Sequence, residues 1–443
     1  MTDTRRAVFV SQLFPPEKGG NASRIHDTVR HLGEKGWEPI VLSPPPCYPP
    51  GEFDRSWQRS TKDAVGDITV YRLWTWQPQQ TDPGMVNRLC YYLIFGIHAM
   101  IWLLLYRRQY DIVVTSTPPI STGGPGLLAS LLGKPWIVDV RDLWIDASIS
   151  LGYLDAGTPI ERVSRQFQHR VLHTADRITV TTDGIGDSLR ETYGESLGEK
   201  TVVIPNGVDI DRFQQEPRSR TDPSGTRDLE AITDSGSTAQ RSDQMVGFSQ
   251  TDETPDRPRP LVIYTGNLGA AQDLESCLRA IPHLSHEVCF RLVGSGDRES
   301  QLKQLAADLG VADRVEFTGV VSREAIPGLL NEATIGLAPI EPSDELAYAM
   351  PTKLYEYMAC GLPAVVTGTG EIERFVDDSG GGVHADNDPE QIAEQIDALL
   401  ADEQTRHQLA EQGCQYVTDR YDREAIATRL SDVFVQLVDG EEL

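Results

Sequence analysis

The chain has 443 residues, 24% of them charged and 39% apolar, enough for two or three packed domains and too apolar for a wholly disordered protein. Its net charge is −26, and only seven of its 40 basic residues are lysine; this excludes a nucleic-acid-binding face and fits a salt-rich cytoplasm, where salt screens carboxylate repulsion. Six scattered cysteines without a CxxC pair exclude a disulfide framework and a zinc site, and the apolar run after Arg5-Arg6 is too short for a signal peptide, so an intracellular protein is expected.

In chain order, residues 7–14 predict a strand and 15–20 (PPEKGG) a loop. Ile25, Val29 and Leu32 share one helix face, closed by Gly33 and Gly36. Strands follow at 39–44, 68–73, 111–117, 136–140 and 177–182, with helices between most of them. The helix at 88–106 is apolar nearly all round and bracketed by Arg88 and Arg107-Arg108. At about 1.5 Å per residue it approaches bilayer thickness. His98 in mid-run and α/β flanks argue against a spanning helix. A buried core helix and an interfacial helix, with Tyr91, Tyr92 and Trp102 at the membrane surface, both remain open.

Residues 214–260 hold Ser, Thr, Asp, Gln, Arg and Pro with hardly an aliphatic side chain, and are expected to be a disordered insertion at a domain boundary. Beyond it, a strand followed by a Gly-rich loop is predicted at 261–269 and again at 289–296, and strands at 314–319, 334–340 and 363–368, with helices at 299–309 and 322–332 among those between. Continuous apolar strands alternating with helices argue parallel, doubly wound sheets. The predicted fold is α/β, two Rossmann-like domains facing across a cleft. The first covers 1–213, the second 261–420, and 421–443 forms a C-terminal helix crossing back to the first.

Four features lie where strands end. Gly19 and Gly20 follow the first strand, Gly266 and Asn267 open the second half, and Gly294 and Gly296 repeat the pattern. The fourth is the helix start at 351–356, with Thr352 and Lys353 in its first turn and Glu356 one turn deeper. A helix N-terminus suits a phosphate and a deeper carboxylate suits a vicinal diol, so the pair predicts a nucleoside diphosphate site. No G-x-G-x-x-G follows the first strand and no P-loop is present.

The strings FPPEKGGNASRI (14–25), RDLW (141–144), IPNGVD (204–209), YTGNLG (264–269), LVGSGD (292–297), VEFTG (315–319) and PTKLYEYMACGLPAV (351–365) resemble family 4 glycosyltransferases of GT-B fold. Among them the chain is most similar to N-acetylfucosamine transferases and other transferases of lipid-linked sugars in surface-polysaccharide pathways. The resemblance implies a UDP- or GDP-sugar donor held by the second half, with retention at the anomeric carbon. It implies neither metal nor cofactor. The acceptor would sit in the first half, as a polyprenyl- or dolichyl-linked glycan at the inner face of the cell membrane. Glu356 would hold the ribose hydroxyls, Gly266 and Asn267 the diphosphate with Gly19 and Gly20 opposite, and Gly294 and Gly296 the region of the base. The sequence departs from the family in three places. Asn267 and Gln272 stand where many members carry Arg and Lys, which shifts diphosphate neutralisation to Lys353, the helix start and Arg141. Tyr348 stands where many carry a Glu, leaving Glu345 or Asp344 for the donor sugar. Arg141 replaces a customary His. Asp142, next to it, orients the acceptor hydroxyl, acts as a base, or caps a helix. A sugar-nucleotide epimerase and a non-catalytic nucleotide-sugar-binding scaffold are the alternatives.

Overall fold

A computed structural model describes residues 5–17, 20–47, 53–79, 84–150, 154–215 and 259–440. The first half runs β1 (Arg5–Val10), α1 (Gly20–Glu34), β2 (Trp37–Ser43), β3 (Ser60–Val65), β4 (Ile68–Leu73), α2 (Met85–Leu105), β5 (Ile112–Thr117), α3 (Gly123–Leu131), β6 (Trp136–Val140), α4 (Trp144–Ser150), α5 (Pro159–Thr174), β7 (Arg177–Val180), α6 (Asp183–Tyr193) and β8 (Thr201–Val203). The second runs β9 (Leu261–Thr265), α7 (Leu274–Ala280), β10 (Cys289–Val293), α8 (Glu299–Asp308), β11 (Val315–Gly319), α9 (Ile326–Glu332), β12 (Ile335–Ala338), α10 (Thr352–Ala359), β13 (Ala364–Val366), α11 (Glu371–Ser379), β14 (Gly382–His384), α12 (Pro389–Ala401), α13 (Glu403–Tyr421) and α14 (Arg423–Asp439).

The strands form an eight-stranded sheet, β3-β4-β2-β1-β5-β6-β7-β8, and a six-stranded one, β11-β10-β9-β12-β13-β14. Central strands such as β5 are buried along their whole length, which is what helices on both faces require of a parallel sheet. The predicted two-sheet GT-B architecture is present. The sequence reading missed the three-residue edge strands β8 and β14, and it missed β3. Its residues STKDAV are polar and largely exposed, and it pairs antiparallel with β4 at the sheet edge, where burial leaves no periodic signal.

Helix α9 starts at Ile326, four residues later than predicted. Pro327 belongs to a first helical turn, so the helix opens beside it and leaves Arg323 in the loop. At the other end of the chain, α14 lies against α1. The Trp37 indole donates to the Ser431 hydroxyl at 3.0 Å, and the Phe434 ring meets Trp37 edge-on at 5.1 Å. The last helix therefore packs into the first domain. The expected insertion at 214–260 lies outside the described residues except at its ends.

Helix α2 has two apolar faces with different fates. Phe95, Ala99, Trp102 and Leu103 are buried in the domain core, while Leu89, Leu93, Ile97, Ile101 and Leu104 form an exposed stripe at helical spacing. The core reading holds for one face of the helix. The placement of Tyr91 and Trp102 at a surface is corrected, because both are buried. Tyr91 faces Cys47, whose sulfur lies 3.1 Å from the phenol oxygen, and Trp102 packs on Tyr71 at 5.1 Å.

Candidate active site

The loops after β9 and β10 stack on each other. The N–H of Gly266 donates to the Val293 carbonyl at 2.9 Å, and that of Leu268 to the Ser295 carbonyl at 2.9 Å. Gly294 has φ of 136° and Gly266 has 137°, values that L side chains avoid. A Cβ on Gly294 would lie 1.8 Å from the Gly266 carbonyl oxygen, and one on Gly296 would lie 2.3 Å from that of Leu268. The glycines of the second motif are therefore required by loop-on-loop packing, whatever ligand they border.

Lys353 sits in the first turn of α10, and its buried side chain reaches back under the β9 loop. Its ammonium donates to Gln272 Oε1 at 2.8 Å and lies 3.9 Å from the centre of the Tyr264 ring. The Tyr264 hydroxyl in turn donates to the Asn267 carbonyl at 2.6 Å. Burial lowers the Lys353 pKa to about 7, against the pull of Glu356. No side chain among the described residues caps the start of α10 at Pro351–Thr352, which leaves its first N–H groups available to an anion.

Glu356 is half-buried one turn along the same face. Burial raises its pKa, while Arg323, Arg423, Lys353 and Arg212 pull it down. Two of these arginines converge on Asp27 of α1. Arg323 reaches it at 3.1 Å from the loop after β11, and Arg423 pairs with the same oxygen from the start of α14. Arg423 also donates to the Gly207 carbonyl at 2.9 Å. Asp27 is buried, which by itself would raise its pKa; the His26 hydrogen bond and the two arginines overcome that and hold it well below the usual carboxylate range.

Across the cleft, the buried Asp139 of β6 accepts from Ser116 at 3.0 Å, Thr179 at 2.9 Å and Arg24 at 3.2 Å. Arg141 lies 3.8 Å from Asp139 and is buried, and its Nε and Nη1 hydrogens meet no acceptor among the described residues. Burial lowers its pKa to about 10, so it stays cationic at neutral pH. Asp142 accepts from the Tyr348 hydroxyl at 2.5 Å, a contact between the two domains. Burial raises its pKa despite that bond. Helix α4 begins only at Trp144, and the carboxylate is taken by Tyr348.

Glu345 is exposed and lines a cavity of about 630 Å³ between the β9–α7 loop, residues 341–346 and Ala147 of α4. Asp273, Glu275 and Glu341 share that lining with Arg279 and Arg298. The lining carries more acid than base, so a diphosphate is better served on the Lys353–Arg323–Arg423 side. Lys353 thus lies beside Gly266 with Glu356 one turn further along α10, whereas Glu345 lines the cavity beside Gly269–Ala271 and Asp273. Gly20 is the first residue of α1, and Gly19 lies outside the described residues.

Sequence reasoning missed Arg323, Arg423 and Asp27. Arg323 follows the carboxyl end of a parallel strand, where such sheets bind ligands, and that position was its one available signal. Arg423 and Asp27 lie far apart in sequence on helices α14 and α1, and no local pattern marks their meeting.

Two family descriptions match the chain, "Glycosyl transferase 4-like domain" over residues 19–207 and "Glycosyl transferases group 1" over 259–402. It is 25% identical to the Escherichia coli protein named "Putative colanic acid biosynthesis glycosyl transferase WcaI", over 80% of this chain and 81% of that protein. It is 24% identical to the GDP-mannose-dependent alpha-(1-6)-phosphatidylinositol monomannoside mannosyltransferase of Mycolicibacterium smegmatis, over 96% of this chain and 97% of that one. Among solved structures, sucrose-phosphate synthase of Thermosynechococcus elongatus superimposes with a TM-score of 0.74 at 16% identity, covering 99% of this chain and 100% of the other. HepE of Anabaena, solved with UDP and glucose, gives 0.67 at 16% identity over 98% and 100%.

Proposed function

Starting from a chain that belongs to the family 4 glycosyltransferases and has their GT-B fold, we propose a retaining, metal-independent hexosyltransferase. It moves a sugar from a UDP- or GDP-sugar to a polyprenyl- or dolichyl-linked glycan at the inner membrane face, in the assembly of surface polysaccharide or glycoprotein. The observation that carries this reading is the ammonium of Lys353, held on Gln272 beside Gly266 and one turn from Glu356. Many family members carry a lysine where this chain has Gln272, and Lys353 brings the cation to that residue from another helix.

In this reading Glu356 accepts from the ribose hydroxyls. The N–H groups of Thr352, Lys353 and Asn267 face the diphosphate beside Gly266, and Gly19 and Gly20 belong to the opposite side of the donor site. Bond cleavage puts negative charge on the departing diphosphate, and the fixed cations Lys353, Arg323 and Arg423 stabilise it. Asp142 and Arg141 lie on the acceptor side, and Glu345 takes the donor sugar from the 341–346 loop. The half of Asp142 bound by Tyr348 is released when the acceptor hydroxyl replaces that phenol as its donor.

A nucleotide-sugar donor is supported by HepE, solved with UDP and glucose, and by the GDP-mannose dependence in the mycobacterial relative's name. That relative's name also specifies a phosphatidylinositol-based acceptor, and the WcaI name a polysaccharide pathway. The exposed stripe of α2 gives this chain a surface that a lipid layer fits, because no Asp or Glu occurs between Asp82 and Asp111 in a chain with 66 of them.

The test is turnover of radiolabelled UDP- and GDP-sugars with extracted lipid-linked acceptors, read by mass analysis of the product glycan. Transfer in the wild type and at least a hundredfold loss of kcat/KM in Glu356→Ala, about 2.7 kcal/mol or more, are expected. Binding without turnover, together with an unaffected Glu356→Ala variant, would leave a nucleotide-sugar-binding scaffold. Interconversion of the nucleotide-sugar without an acceptor would make the protein an epimerase.

A further inference from the structure

Three of the chain's seven tryptophans meet at one exposed spot outside the cleft. The Trp57 ring stacks on Trp74, with centroids 6.4 Å apart and planes at 28°, and stands edge-on to Trp76 at 6.4 Å. The Arg55 guanidinium lies 4.5 Å from the centre of Trp76 and 5.7 Å from that of Trp57. Trp57 remains 65% exposed, an unusual place for the largest apolar side chain.

The cluster is fastened to one flank of α2. Trp76 Nε1 donates to Asn87 Oδ1 at 3.2 Å, and the His98 ring Nδ1 lies 2.6 Å from the Trp74 carbonyl. At 100° per residue, Asn87 and His98 fall on the border between the buried face of α2 and its outer stripe of Leu89, Leu93, Ile97 and Leu104. The aromatic cluster therefore continues the apolar stripe sideways. Its charge differs from that of the molecule. Residues 54–63 hold two arginines and a lysine against Asp54 and Asp63, while the whole chain carries −26.

We propose that Trp57, Trp74, Trp76 and Arg55 seat in the headgroup layer of an anionic membrane, while the outer stripe of α2 enters the acyl layer. Indoles favour that depth because one ring edge is polar and the rest is not, and a guanidinium there pairs with lipid phosphate. This rests on the membrane-docked reading above and adds an orientation to it. Trp74 directly follows the carboxyl end of β4, the same end of the sheet that borders the cleft, so the girdle turns the mouth of the cleft toward the lipid.

The test is flotation of the full chain with vesicles of phosphatidylcholine, with and without phosphatidylglycerol. Three proteins are compared: wild type, Arg55→Ala/Trp57→Ala and Leu93→Glu/Ile97→Glu. Circular dichroism and melting temperature control for folding. The expected result is binding by the wild type that strengthens with phosphatidylglycerol, at least a fivefold weaker partition for the Arg55/Trp57 variant, and none for the stripe variant. In a second measurement, brominated lipid quenches tryptophan fluorescence in the wild type and clearly less in Trp57→Phe. If the stripe variant fails to bind while the Arg55/Trp57 variant binds as wild type does, the girdle is refuted and the docked helix stands. If the wild type binds neither vesicle, the docked reading fails and the girdle with it.

Discussion

Lys353 is the side chain whose chemistry is most exposed to measurement. Burial lowers its pKa to about 7, so at pH 8 the free protein holds it mostly neutral. A bound diphosphate restores the charge, and binding then takes up a proton. The affinity for an intact UDP- or GDP-sugar, which has no group of its own titrating near pH 7, should fall between pH 7 and 9 and approach a tenfold loss per unit. Calorimetry in two buffers of different ionisation heat checks this; equal heats would refute it. The same burial fixes the sign for stability. The folded pKa lies below the unfolded value, so the unfolded chain binds more protons between about pH 7 and 10, and stability from this group rises across that window. Lys353→Met should lose donor binding yet melt no lower than the wild type, with its advantage larger at pH 6 than at pH 9. Lys353 was legible in the sequence because it occupies the first turn of a recognisable helix. Its hold on Gln272 was not, since that contact depends on how α10 lies across the β9 loop.

Among the elements, α2 shows how far periodicity reaches. A helix apolar on every side has no moment from which to choose a face, so its sequence left core and interface equally open. Packing decides it. Phe95, Ala99, Trp102 and Leu103 are the side chains that the domain core takes up, and Gly96 faces the turn before α3, where an added Cβ would lie 3.4 Å from the Ser121 carbonyl. The two faces should respond differently to mutation. Phe95→Ala should cost about 3–5 kcal/mol, as deletion of a fully buried ring does. Ile97→Glu, on the outer stripe, should change stability by about 0.5 kcal/mol or less, because the side chain already stands in water. Urea titrations of both variants measure this, and an unfolded Ile97→Glu protein would make the outer stripe core as well. The βα alternation that predicted both sheets survived because inner strands such as β1, β9 and β13 carry apolar runs. The edge strand β3 carries none and was invisible for the same reason.

At the scale of the whole molecule, polar contacts join the two domains. Tyr348 donates to Asp142, the Thr182 hydroxyl donates to the Tyr348 carbonyl at 3.0 Å, the Gly184 N–H donates to Glu371 at 2.6 Å, and Arg323 reaches Asp27. An interface this polar is of the kind found between domains that move relative to each other, which the proposed binding of a nucleotide-sugar between them would use. Asp27 is its hub, because α1, the β11 loop and α14 meet there. Its folded pKa lies below the unfolded value, so its stabilisation is complete above about pH 4 to 5 and is lost as the pH falls further. Asp27→Asn leaves the buried Arg423 and the half-buried Arg323 without their shared carboxylate and should cost about 3–5 kcal/mol at pH 7, a deficit that shrinks below pH 4. Arg323→Ala cuts only the arm that crosses the cleft. It leaves Asp27 paired with Arg423, so the first domain should keep its own melting point while the second unfolds separately. Scanning calorimetry should then show two transitions in Arg323→Ala where the wild type shows one. A single unshifted transition in that variant would mean that the contact at 3.1 Å does not couple the domains, and that closure is carried by the Tyr348 and Glu371 contacts alone.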